Sequence, residues 1–101
     1  MNENVNVNST YILSENVVAR KIEGETILVP IGAGVGNLEE DLYTVNESGH
    51  AILSMLDGKR TLNDVVASLS SEYNVDKDEM KADVVGFTNE LFWRKILVES
   101  S

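Results

Sequence analysis

The chain has no cysteine, one histidine (His50) and one proline (Pro30). Without thiols there is no disulfide, no cysteine nucleophile and no thiolate metal site. A single histidine leaves any imidazole-based metal centre to be completed by carboxylates alone. Basic side chains are scarce as well: eight Lys and Arg stand against seventeen Asp and Glu, for a net charge of −9. A surface of that sign repels phosphate backbones and favours neutral or basic partners. No apolar run approaches the roughly 20 residues that span a bilayer, and residues 1–10 lack the basic start and apolar centre of a secretory signal. These absences lead to the expectation of a cytoplasmic protein with no membrane association, no nucleic-acid partner and no cofactor.

What is present is enough to build a core. A length of 101 residues with 43% hydrophobic side chains fits one domain. Residues 1–10 alternate Asn with Val and Glu and are expected as a flexible N-terminal tail, with the folded domain over 11–101. Tyr11, Ile12 and Leu13 are apolar enough to pack. Val17–Ile22 and 26–31 are β-rich runs separated by Glu23-Gly24-Glu25, the pattern of a hairpin. Pro30 cannot donate to a ladder, which places it near a strand end or bulge. Three glycines fall within 32–37, but their spacing matches neither the dinucleotide fingerprint nor a P-loop, and no Lys follows.

Leu42, Tyr43, Thr44 and Val45 read as a third strand, ended by Asn46, whose side chain can cap a helix. Ile52, Leu53 and Leu56 form that helix's apolar stripe, and Asp57-Gly58 is expected to end it. Thr61 caps a second helix with Asp64 as its capping-box partner; Leu62, Val65, Val66, Leu69 and Tyr73 follow at helical spacing, and Asn74 can close it. Asp76 caps a third helix, with Glu79 three residues on. Met80, Val84, Phe87 and Leu91 share one face as its core row. Lys81, Val85, Thr88 and Phe92 form a second row beside it, either half buried or lining a groove. Trp93 is either an anchor or an exposed aromatic, and Ile96, Leu97 and Val98 are a short terminal strand or an extended tail. The fold class expected is α+β, a three-stranded antiparallel meander followed by three helices in a winged helix-turn-helix-like arrangement.

Catalytic residues are not evident. His50 lies among apolar helix positions as a surface or boundary residue, and the pairs Glu39-Glu40 and Asp78-Glu79 read as solvated charge or caps. The chain is therefore expected not to be an enzyme. A winged helix also raises DNA binding as an alternative, but the third helix opens with Asp76, Asp78, Glu79 and Asp83 against Lys77 and Lys81, too few cations for phosphate contact. A peptide-binding module fits better. The strand of Leu42, Tyr43, Thr44 and Val45 would lie at a sheet edge, free to accept a further strand, and Lys81, Val85, Thr88 and Phe92 would form the facing wall.

The run Tyr43, Val45, Asn46, Gly49, Ile52, then Leu56-Asp57-Gly58, Arg60-Thr61 and Val65-Val66 resembles the PqqD family of pyrroloquinoline quinone biosynthesis, also known as the precursor-peptide recognition domain of ribosomal peptide maturation. The resemblance continues through Tyr73, Asp83-Val84, Phe87, Leu91 and Ile96-Leu97, and more loosely upstream through Arg20 and Gly24. It implies a non-catalytic peptide chaperone. Such a protein binds the leader of a precursor peptide by strand addition and presents it to a modifying enzyme, commonly a radical S-adenosylmethionine enzyme. The stretch 32–41 is longer and richer in glycine than the family pattern, and Phe92-Trp93-Arg94-Lys95 replaces a smaller stretch. A chaperone for another ribosomal peptide therefore stands beside the quinone pathway itself.

Overall fold

A computed structural model describes residues 4–31 and 43–100. Leu42, the glycine-rich stretch 32–37 and the Glu39-Glu40 pair lie outside the described residues. Six strands and three helices follow along the described chain: β1 (Thr10–Leu13), β2 (Val17–Ile22), β3 (Glu25–Pro30), β4 (Tyr43–Val45), α1 (Glu47–Ser54), β5 (Asp57–Thr61), α2 (Leu62–Tyr73), α3 (Lys77–Trp93) and β6 (Leu97–Ser100). The expected meander is present as an antiparallel sheet of order β2-β3-β4, and the three helices follow it. The winged-helix likeness is a loose one, because a second antiparallel sheet, β5-β1-β6, joins three segments far apart in sequence.

Local chemistry sets the element boundaries. Glu23 (φ 51°) and Gly24 (φ 84°) both adopt left-handed backbone, which turns β2 into β3 in two residues with the twist a tight hairpin needs. Pro30 is the last residue of β3, where its missing N–H interrupts nothing beyond it. Asn46 Oδ1 accepts the Gly49 amide at 2.8 Å and starts α1. Thr61 and Asp64 exchange two hydrogen bonds, Asp64 N to Thr61 Oγ1 at 3.1 Å and Thr61 N to Asp64 Oδ2 at 3.0 Å, the capping box that starts α2. Asn74 ends α2 in left-handed backbone (φ 54°). Asp76 caps α3 by accepting the Asp78 amide at 3.1 Å rather than pairing with Glu79.

Three expectations need correction. The first helix does not run to Asp57-Gly58. It ends at Ser54, and the Asp57 carboxylate instead accepts the amides of Lys59 and Arg60 at 2.9 and 3.0 Å, while β1 recruits the segment as β5. Those two amides hold the Asp57 carboxyl below its ordinary range, with Arg60 adding to the effect. The expected N-terminal tail is packed from Val5 onward: Val5 is buried, its amide donates to Asn89 Oδ1 at 2.7 Å, and the Asn63 amide donates to the Val7 carbonyl at 2.9 Å. The core row of α3 is Met80, Val84, Thr88 and Leu91, with Phe87 on its flank and only partly buried. Thr88 is tolerated at the centre because its hydroxyl donates to the Val84 carbonyl at 2.7 Å, which removes the desolvation cost of a bare hydroxyl.

The core joins Leu28 of the meander to Leu62 and Val65 of α2 and Val84 and Leu91 of α3, all fully buried. Each such side chain contributes about 1.5–3 kcal/mol relative to exposure. Their packing fixes α3 across the meander and leaves β4 at the edge of its sheet.

Candidate functional site

Among the described residues, β4 pairs only with β3, in the register Thr26↔Val45, Ile27↔Thr44 and Leu28↔Tyr43. Its other edge carries backbone donors and acceptors with no strand beside them. Side chains alternate along it: Val45 is buried and Tyr43 half-buried on the helical side, and Thr44 is exposed on the other.

α3 supplies the facing wall. Tyr43 Oη donates to Glu90 Oε2 at 3.1 Å, the Phe87 ring meets the Tyr43 ring edge-on with centroids 6.4 Å apart, and the Arg94 guanidinium lies 5.3 Å from the Tyr43 ring centre. Arg94 is also ion-paired to Glu90 at 3.3 Å. Burial, followed by the hydrogen bond and negative charge of Glu90, pushes the Tyr43 phenol above its ordinary value, with Arg94 opposing. At the Val45 end, Gly49 of α1 closes the wall. A Cβ there would lie 2.8 Å from Val45 Cγ1 and 2.9 Å from Phe87 Cε1, so the three residues meet only because position 49 has no side chain. Phe87, Glu90 and Arg94 of α3 thus pack on the Tyr43 side chain, with the aromatic pair beside the charged one.

The sequence-predicted site divides. Tyr43, Thr44 and Val45 form β4, at the edge of the described sheet, with Val45 buried and Thr44 exposed; Leu42 lies outside the described residues. Lys81, Val85, Thr88 and Phe92 are not brought to it. Thr88 is fully buried, and the Phe92 ring packs edge-on against Tyr11 of β1 with centroids 5.7 Å apart. At about 100° per residue that row sits roughly 160° around the helix from Asp83, Phe87, Glu90 and Arg94, so the two rows flank the core stripe on opposite sides. Periodicity identified the stripe but not which flank turns toward β4. The sign in the sequence was Phe87 in register with charged Asp83, Glu90 and Arg94, a mixed row suited to a rim. His50 is exposed, with Nδ1 3.1 Å from Thr26 Oγ1. No group of His, Asp and Glu able to hold a metal ion occurs among the described residues, and no described helix is long and apolar enough to cross a membrane.

Among the described residues, β4 is an edge strand beside a helix, an arrangement that peptide-recognition domains use for strand addition. The chain belongs to the PqqD family: the family model for coenzyme PQQ synthesis protein D matches residues 25–97. Among solved structures it is similar to TbiB1 in complex with the TbiA(beta) leader peptide, at a TM-score of 0.69 and 23% identity over 85% of this chain and 93% of that one. It is also similar to the PqqD truncation of Methylobacterium extorquens PqqCD, described as a functional and stand-alone recognition element for ribosomally synthesized and post-translationally modified peptides. That likeness has a TM-score of 0.67 and 20% identity over 87% of each chain. At these identities the likeness establishes a shared fold. No curated protein matches the chain.

Proposed function

We propose that this protein is a non-catalytic recognition module that binds the leader segment of a ribosomally made precursor peptide by strand addition along β4. It then presents the peptide to a modifying enzyme. The observation that carries this reading is the edge of Tyr43, Thr44 and Val45, unpaired among the described residues, beside Phe87, Glu90 and Arg94 of α3. Membership of the PqqD family and the leader peptide bound to TbiB1 support it. An added strand would take its main-chain hydrogen bonds from the β4 edge, and side chains opposite Tyr43 and Val45 would point toward α3. Within this reading the enzyme partner is a radical S-adenosylmethionine maturase, and the product is pyrroloquinoline quinone or another modified peptide.

The test is hydrogen exchange of the full chain with and without the precursor peptide encoded nearest to it, together with a fluorescence titration. The expected result is added protection at the amides of β4 and a loss of at least about tenfold in affinity for Phe87→Ala, as for a central aromatic anchor. Binding that leaves β4 exchange unchanged would refute strand addition.

A further inference from the structure

A cavity of about 290 Å³ opens between the start of α1, the end of α2 and the first turns of α3. Ile52, Leu69 and Met80 give it an apolar floor, and Glu47, Glu79 and Asp83 stand around it with no Lys or Arg among the lining residues. Glu47 and Ser48 of its lining precede Gly49, the residue against Val45 and Phe87, and Asp83 lies one helical turn before Phe87, which sets the cavity beside the Val45 end of β4. A larger depression of about 660 Å³ near the β2–β3 turn sets Lys21 and Arg60 against Glu47 and Glu72, so its charge favours neither sign.

Chain direction determines which part of a peptide would reach the smaller cavity. β4 runs from Tyr43 to Val45, and its Val45 end leads directly into α1, whose first residues Glu47 and Ser48 line the cavity. A strand added antiparallel to β4 would enter at Val45 and leave at Tyr43. We propose that the cavity is the subsite for the residues preceding the strand-forming segment of the bound peptide, and that the occupant is an apolar side chain flanked by lysine or arginine. This inference rests on the strand-addition reading. The apolar floor accepts the side chain or the methylene stem of the basic residue, and the three carboxylates meet its charge at the rim. The chain's net charge of −9 adds long-range attraction for such a segment.

The experiment selects random peptides of about twelve residues, displayed against the immobilised full chain, and titrates fluorescein-labelled copies of the selected sequences. The selected peptides should carry Lys or Arg on the N-terminal side of an alternating apolar segment, and moving that charge to the C-terminal side should weaken binding. Glu79→Gln and Asp83→Asn should each weaken binding roughly two- to fivefold at low salt, and Asp83→Lys should abolish the basic preference in a repeat selection. Peptides that lose affinity with Phe87→Ala but show no basic preference would overturn the subsite and leave strand addition standing. Failure to select any peptide, or peptides indifferent to Phe87→Ala in a chain still folded by circular dichroism, would overturn both.

Discussion

Replacing Gly49 with alanine is the sharpest probe of the contact between β4, α1 and α3, because helix propensity and packing predict opposite signs. Within a helix interior Gly→Ala gains about 0.8–1 kcal/mol of intrinsic stability. Here the added carbon would sit 2.8 Å from Val45 Cγ1 and 2.9 Å from Phe87 Cε1, well inside ordinary carbon contact at about 3.5–4.0 Å. Overpacking of that kind costs about 1–3 kcal/mol, so the net change should lie between near neutral and about 2 kcal/mol destabilising. A loss of 1 kcal/mol would lower Tm by about 4–8 °C in a domain of this size. Val45 is buried in the core and Phe87 is only partly buried, so the ring is the neighbour that moves, and it moves into the space a peptide would occupy. Peptide affinity should therefore fall more steeply than stability. Thermal unfolding and a peptide titration on the same samples measure the two effects. The double variant Gly49→Ala/Phe87→Leu, which removes the ring atom at closest approach, should recover stability relative to the sum of the single changes. A rise in Tm for Gly49→Ala alone, by the full propensity gain, would refute the contact and with it the geometry of the wall.

Phe92→Ala should destabilise the fold by about 2–3 kcal/mol through lost packing on Tyr11 while leaving the affinity of folded molecules unchanged; Phe87→Ala should show the reverse emphasis in the paired titration. Thr61→Ala breaks one of the two bonds of the α2 capping box and should cost about 1 kcal/mol, read as a shift in the denaturation midpoint at unchanged slope. The folded Tyr43 phenol holds its proton more tightly than the unfolded one, so its contribution to stability is complete below about pH 10 and is lost as pH rises through the folded value. Denaturation midpoints measured from about pH 8 to 11 should fall less steeply for Tyr43→Phe than for the parent; equal slopes would contradict the tightened proton, to which burial contributes first and Glu90 next.

The sequence was most legible where a short-range rule has one outcome. Asn46, Thr61 and Asp76 each start the helix expected of them, because a polar side chain before an apolar period meets amides only a few residues away. The β2–β3 hairpin and the position of Pro30 were readable for the same reason. β5 was not. Asp57-Gly58-Lys59-Arg60-Thr61 has no apolar alternation and a single β-branched residue, Thr61, and becomes a strand through pairing with β1 more than forty residues earlier. The packed start of the chain depends likewise on Asn89, far away in sequence. The candidate site was half legible. The β4 edge followed from strand order, whereas the facing wall depended on how α3 is rotated about its axis, and buried Thr88 with flanking Phe87 shows that apolarity alone does not fix that rotation.

The β5-β1-β6 sheet has a consequence for how the chain is made. Thr10 pairs with Ser100 on one side and Thr61 on the other, so β1 cannot obtain both neighbours until β6, some ninety residues later, has been made. Such long loops make folding slow relative to a helical bundle of equal length. The β2–β3–β4 meander is local and can form first. The β4 edge would then exist on nascent chains before the second sheet closes, whereas β1 is secured only once β6 is available.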